Sequence, residues 1–249
     1  MIGVAPRVGA IIHSRDTVGS TQTALAEFAG AGAPEGTAVI ARHQTAGRGR
    51  RGRQWWDEPG ESLLVSVLLR PRVKTAHVPQ LSLVAGLAVA EALERTAGVS
   101  PRIRWPNDVL VGGRKISGVL AEASSGADGG VTHVLLGIGI NLAQREFPAE
   151  IEGRATSLRV LTGRSPDPGR ILAALLESMD RRYQRWLVEG FPTLRQEWRD
   201  RASTLGERVR MPDGGEGVAV DVAEDGALLV EAGAGVVRRV VSLLAAAEG

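Results

Sequence analysis

Between residues 102 and 142 four short β-like runs follow one another, at 102–105, 109–111, 115–123 and 131–142. Only Asn107-Asp108, Gly112-Gly113 and a loop at 124–130 part them. Turns this short leave no room for the crossover that a parallel pair needs, so the runs favour a mixed or antiparallel sheet. The rest of the chain has to pack around it. Ahead of the sheet segment, Ser20 is placed to N-cap a short helix over 21–29, 37–42 is a β-branched run that reads as a strand, and 62–69 reads as a buried strand. Residues 79–96 carry Leu83, Leu87, Ala90 and Leu93 at helical spacing and close at Gly98.

After the sheet segment, 168–187 sets Ile171, Leu172, Leu175, Met179, Tyr183 and Trp186 on one helical face, and 191–201 continues helical with Leu194 and Trp198 inward. These helices are expected to pack on the sheet. From about residue 205 the pattern changes to short β runs at 209–211, 217–222, 227–231 and 236–241. Asp213-Gly214-Gly215, Glu224-Asp225-Gly226 and the turn at 233–235 part them. The reading is an α+β domain over 1–204 and a small β-barrel domain over 205–249, within what 249 residues can bury.

Composition narrows the chemistry. The hydrophobic share of 43% and charged share of 23% are those of an ordinary globular chain. A net charge of +2 argues weakly for any nucleic-acid partner. Cysteine is absent, which removes disulfides, thiolate nucleophiles and Cys-based metal sites together. His13, His43, His77 and His133 are scattered without ligand spacing, so zinc is not expected. The first residues lack the pattern of a secretory signal, and the best apolar run, 81–93, is too short to span a bilayer; a cytoplasmic protein without a membrane partner is expected.

Neither Gly-x-Ser-x-Gly nor a Walker loop occurs, so any nucleotide must bind without a P-loop. Instead, residues 44–53 pack Arg48, Arg50, Arg51 and Arg53 among Gly47, Gly49 and Gly52, where backbone amides and guanidinium forks can converge on a phosphate or carboxylate. A solvated basic loop, or one that touches RNA, reads the same way. Asn107-Asp108 behind Pro106 offers an amide and a carboxylate side by side, which suits a Mg²⁺-bound phosphate and equally suits a plain turn. Lys115 is one of only two lysines, with Lys74, in an Arg-dominated chain; it reads either as a surface lysine or as a compact ammonium that meets charge developing between a carboxylate and an α-phosphate. Gly137-Ile138-Gly139-Ile140-Asn141 ends a strand with two positions lacking Cβ, which fits close approach of a ligand or a β-bulge.

In this order Ser20-Thr21, residues 44–53, Trp105-Pro106-Asn107-Asp108, Gly113-Arg114-Lys115 and residues 137–141 resemble the catalytic domain of the bacterial biotin protein ligases. The likeness runs from about residue 12 to 142 in motif and to the end in layout. It implies a class II aminoacyl-tRNA synthetase-like mixed β-sheet with flanking helices and a C-terminal SH3-like β-barrel. It also implies ATP and biotin as substrates, Mg²⁺, a biotinyl-5′-AMP intermediate, and a lysine of a biotin carboxyl carrier domain as acceptor. A homodimer is among the assemblies it allows. Because no helix-turn-helix module precedes residue 12, the chain resembles the ligases that do not bind DNA.

Carried over residue by residue, the resemblance implies that Ser20, Thr21, Gln22 and Gln44 hold the ureido ring, with Gly47, Arg48, Gly49 and Arg50 folding over biotin. Gly118, Gly137 and Gly139 line the same pocket. Arg50, Arg51, Arg53, Asn107, Lys115 and Asn141 contact the nucleotide. Lys115, Arg50 and Asp108 are the catalytic candidates, with Lys115 near both the biotin carboxylate and the α-phosphate, and Asp108 supporting Mg²⁺ or the attacking lysine. Ligand binding is expected to order residues 46–53, at a cost of order 2 to 5 kcal/mol.

The chain departs from the family in three places. Gln22 stands where Asn is usual, the stretch 239–243 lacks the glycine often seen before the last strand, and no aromatic lies in 155–158 to stack on adenine. Two rivals remain. A lipoate ligase shares the architecture, but the Arg/Gly loop combined with Trp-Pro-Asn-Asp matches biotin ligases better. An RNA-binding module stacking bases on Trp55-Trp56 would need a wider basic face.

Overall fold

The computed structural model describes residues 7–126, 130–233, 235–241 and 243. Strands β1 (Ile11–Val18), β2 (Thr37–Gln44), β3 (Ser62–Leu69), β4 (Arg102–Arg104), β5 (Asp108–Val111), β6 (Arg114–Ser125) and β7 (Val131–Asn141) form one sheet in the order β1-β2-β3-β7-β6-β5-β4. Only the β1–β2 pair is parallel, and the run from residue 102 to 141 pairs antiparallel throughout, as its short turns require. The expected loop at 124–130 and turn at 233–235 fall partly outside the described residues.

The strand β1 was not anticipated. None of its residues is buried, so Ile-Ile-His-Ser-Arg-Asp-Thr-Val shows no alternation; it is held as an edge by the ladder to β2. The helix α1 (Thr21–Gly30) follows, with the Ser20 hydroxyl accepting from the Gln22 amide at its N-terminus.

The core lies on one face of the sheet. There α2 (Val78–Ala97) lies against β6 and β7 and is covered in turn by α4 (Pro168–Glu189) and α5 (Pro192–Arg201). The helical run from Thr75 to Ala97 is long and apolar enough by composition to cross a membrane, but it is the central core helix, ended by Gly98 in the left-handed conformation at φ 66°. The short α3 (Leu158–Thr162), capped by Ser157 and closed by Gly163, is too brief to leave a periodic signal in the sequence.

Helix α4 is tied to α2 by charge as well as by apolar contact. Glu91 of α2 accepts from Ser178, Arg181 and Arg182, and Arg182 also reaches Glu197 of α5. The strands β8 (Arg208–Arg210), β9 (Glu216–Val222), β10 (Leu228–Glu231) and β11 (Val237–Val240) form a second, wholly antiparallel sheet in the order β11-β10-β9-β8. It is fastened to the first body through Gln80, whose side-chain amide donates to the Glu224 carbonyl at 3.1 Å, and through Arg195, which donates to the Val222 carbonyl.

Burial alone pushes the Glu91 carboxyl up, but the hydrogen bonds from Arg182, Arg181 and Ser178 outweigh it and hold it at about 2, below its ordinary 4.5. A depressed folded value adds stability above pH 4.5 that is lost as pH falls toward 2. The variant Glu91→Gln is expected to be less stable than the parent at neutral pH and to converge on it as pH approaches 2 in denaturant titrations. Parallel stability curves at every pH would contradict this.

Candidate active site

Strand β7 has two different faces. Val134, Leu136, Ile138 and Ile140 enter the core beneath α2, so Leu135, Gly137, Gly139 and Asn141 must face the other way. The register sets Gly139 beside Gly118 of β6 and Leu64 of β3, and sets Gly137 beside Leu120 and Ser66. Helix α1 covers only the end of this face, where Leu25 packs with Val39, Leu68 and Leu135. What remains of this face is a floor of glycines over which Trp55 and Gln22 lie.

Both glycines of β7 lie under a side chain. A Cβ on Gly139 would fall 2.5 Å from the Trp55 indole, and one on Gly137 would fall 2.8 Å from Gln22 Oε1. No larger residue fits while those side chains lie there.

One end of the floor is neutral and hydrogen-bonding. Gln44 Oε1 accepts from the Thr21 backbone amide at 2.8 Å and from Thr21 Oγ1 at 3.1 Å, and Thr21 Oγ1 meets Ser66 Oγ at 2.8 Å. Gln22 is long enough to bridge strands, donating to the carbonyls of Leu135 at 3.1 Å and Leu120 at 3.3 Å. Behind Gln44, buried Asp57 accepts from the Gln44 amide at 3.3 Å and contacts His43 Nδ1 at 2.9 Å. Ser20, Thr21, Gln22, Gln44 and Ser66 are all buried, so these dipoles act in a medium poor in water.

The Arg/Gly segment closes over the floor as a compact turn. The Gly49 amide donates to the Arg53 carbonyl at 2.7 Å and the Trp55 amide to the Gly47 carbonyl at 3.0 Å. Arg51 takes the left-handed conformation at φ 58°, the only residue other than glycine to do so among those described. Arg48 pairs with Glu122 of β6 at 2.6 Å. A cleft of about 600 Å³ lies beneath, lined by residues 45–54 with Leu120 and Glu122.

The other end of the floor is charged. Lys115 Nζ lies 2.6 Å from Asp108 Oδ1, 5.6 Å from the centre of the Trp55 ring, and 3.1 Å from where a Gly118 Cβ would be. Asn107 is held by its side-chain amide on the Val119 carbonyl at 2.8 Å, and its Oδ1 accepts from Arg50 at 3.2 Å. Burial, then Arg51 and Arg53, pull the Arg50 guanidinium below its ordinary value, against the opposing pull of Asp108. Cations crowded this way with few carboxylates nearby are an environment that an anion relieves. Among the described residues no group of three or more His, Asp or Glu side chains is arranged to hold a metal ion.

Thr21 and Gln44 lie at one end of the floor and Arg50, Asn107, Asp108 and Lys115 at the other, while Gln22 and Asn141 spend their side-chain amides on backbone carbonyls. The Asn141 amide is turned to the Thr156 carbonyl at 3.0 Å, where it braces the segment beside Lys115. Sequence reasoning missed Asp57, Ser66 and Glu122 and treated Trp55 only as a stacking platform for RNA. Ser66 carries a signal, being a lone hydroxyl in the middle of a buried apolar strand. Asp57 and Glu122 carry none until the fold brings His43 and Arg48 to them.

Residues 15–141 match the model of the biotin/lipoate A/B protein ligase family, and residues 204–242 match the biotin protein ligase C terminal domain. A bifunctional ligase/repressor of Bacillus spizizenii is 37% identical over 227 residues, which cover 89% of this chain and 70% of the relative. A biotin--[acetyl-CoA-carboxylase] ligase of Mycobacterium tuberculosis is 38% identical over 86% of this chain and 81% of its own length. A solved biotin protein ligase from Aquifex aeolicus, in complex with biotin and ATP, superposes with a TM-score of 0.82 at 34% identity, covering 94% of this chain and 96% of that one. With the glycine floor, its neutral end and its cationic end arranged as described, this chain belongs to the biotin protein ligases of the biotin/lipoate A/B protein ligase family.

Proposed function

We propose that the chain activates biotin with ATP to biotinyl-5′-AMP and then passes the biotinyl group to one lysine of a biotin carboxyl carrier domain. The observation that carries this reading is the polarity of the glycine floor. Thr21, Gln44 and Ser66 at one end suit a neutral ureido ring, while Arg50 and Lys115 at the other suit a carboxylate meeting a phosphate. The flat bicycle of biotin would lie on Gly118, Gly137 and Gly139, with the Trp55 indole giving way or rolling over it.

The first step joins the biotin carboxylate oxygen to the α-phosphorus and releases pyrophosphate. No enzyme nucleophile is needed, only alignment and neutralisation of the oxygens. Lys115 is placed for the bridging region and Arg50 for the phosphates, with Arg51 and Arg53 adding positive charge beside it. Mg²⁺ supplies further charge neutralisation when bound with ATP. Asp108 and the Asn107 amide oxygen are the protein donors in reach, a small set that fits an ion held mostly by phosphates and water. In the second step the carrier lysine attacks the acyl carbonyl and AMP leaves, with Asp108 the candidate to support the attacking amine. Until then the adenylate must be kept from water, and the Arg/Gly turn latched by Arg48 to Glu122 serves as the cover.

Within this reading the catalytic domain ends at residue 204 and the small domain begins at 205, between α5 and β8. A reaction that consumes ATP and acts on carboxylase carriers is in keeping with the cytoplasmic location expected from the sequence.

Incubation with labelled biotin, ATP, Mg²⁺ and a carrier domain is expected to put label on the carrier, and failure to do so with properly folded protein would overturn the reading. The variant Lys115→Ala should lower the rate of adenylate formation by about 10² to 10³-fold, measured as pyrophosphate release. Retention of full adenylation would remove Lys115 from the reacting centre. The variant Glu122→Ala should release biotinyl-5′-AMP several-fold faster in a stopped-flow chase, and an unchanged rate would show that the Arg48 contact is not a latch.

A further inference from the structure

Trp105 opens the Trp105-Pro106-Asn107-Asp108 segment, yet its side chain turns away from the floor into the principal core, where it is 4% exposed. Its backbone amide donates to Thr204 Oγ1 at 2.8 Å, and its indole Nε1–H donates to the Gly226 carbonyl at 2.9 Å; both bonds are buried. Neither acceptor belongs to the catalytic sheet. Thr204 lies in the connection from α5 to β8, and Gly226 lies in the turn between β9 and β10.

Both acceptors are themselves held in place. The connection is pinned to β4 by the Ser203 amide on the Ile103 carbonyl at 2.9 Å and by Arg102 on the Ala202 carbonyl at 3.0 Å. The turn is pinned to α2 by Gln80 on the Glu224 carbonyl, with Gln80 Oε1 accepting from Trp186 Nε1 at 2.7 Å. Gly226, in the left-handed region at φ 87°, lies so close to Leu83 and Gln80 that a Cβ would meet them at 3.1 and 3.3 Å. The acceptors are therefore a rigid frame.

On the far side of Pro106, Asn107 receives Arg50 and Asp108 receives Lys115. Trp105 is thus clamped at both its nitrogens by the small domain and its connection, while the next two residues after Pro106 hold the cations of the reacting centre. A buried indole N–H needs an acceptor, and this one takes it from the β9–β10 turn of the small domain and not from its own sheet.

We propose that Trp105 is a positioning residue for adenylate formation, through which the C-terminal sheet sets the place of Asn107 and Asp108 at the ATP end of the site. The inference rests on Asn107 and Asp108 serving that end. It makes the small domain part of the first half reaction and not merely an appendage. Because the clamp acts on the phosphate side, it should leave the ureido side, built from α1, β2 and β3, untouched.

The test uses the full chain and the variants Trp105→Phe, which loses the indole donor, Thr204→Val, which loses the hydroxyl acceptor, and Asn107→Ala. Pyrophosphate release is followed over a range of ATP, biotin affinity is measured by calorimetry without ATP, and melting is recorded. Trp105→Phe and Thr204→Val are expected to worsen kcat/KM for ATP by about ten- to a hundredfold, with the biotin Kd within about twofold of the parent. Normal ATP parameters in both variants, with Asn107→Ala impaired, would overturn the proposal alone. Normal parameters in Asn107→Ala would overturn the nucleotide assignment beneath it. Loss of biotin affinity in the same proportion as ATP efficiency would mark general loosening and also overturn it. If Trp105→Phe does not fold, Thr204→Val decides by the same readouts.

Discussion

A two-residue period in one strand governs the whole arrangement. In Gly137-Ile138-Gly139-Ile140 each isoleucine is driven beneath α2 by the burial of its side chain, and that commitment turns each glycine toward the opposite face. A one-residue slip would bury the glycines and expose the isoleucines, so the hydrophobic core itself fixes the register of the binding floor. The antiparallel ladder then sets Gly118 directly beside Gly139 and Ser66 beside Gly137 without further instruction.

From that floor the chemistry follows by position along the sheet. Toward α1 the neighbours are hydroxyls and carboxamides already engaged with one another, which can exchange partners with a neutral polar ring at little electrostatic cost. Toward β5 they are an ammonium and several guanidinium groups against Asp108, with Glu122 taken up by Arg48. A molecule that is neutral at one end and anionic at the other is matched in direction as well as in shape. Catalysis in the proposed reaction is electrostatic and positional.

Much of this was legible in the residues because their chemistry is local. The Arg/Gly run, the rare Lys115 and the paired glycines announce themselves by type and spacing, and the hairpin strands, α2, α4 and α5 by period. What escaped needed partners distant in sequence. The edge strand β1 has no buried side, and α3 is too short for a period. Trp55 became part of the site only when β6 and β7 brought Gly118 and Gly139 beneath it, and Asp57 only when β2 brought His43 and Gln44 to it. Gln22, in place of the shorter residue usual in the family, turned out to span two strand carbonyls, a contact that no spacing could foretell.

The claim that β7 divides its labour between core and ligand is tested most directly by two neighbouring substitutions measured for both stability and biotin affinity. Ile138→Val should cost about 0.5 to 1.5 kcal/mol of stability and leave biotin binding unchanged. Gly139→Ala should leave the core intact and weaken biotin binding by at least about tenfold, the equivalent of one unfavourable methyl contact. If Gly139→Ala bound biotin as tightly as the parent, or if Ile138→Val lost affinity in step with stability, the two faces would not be separate and the account would fail.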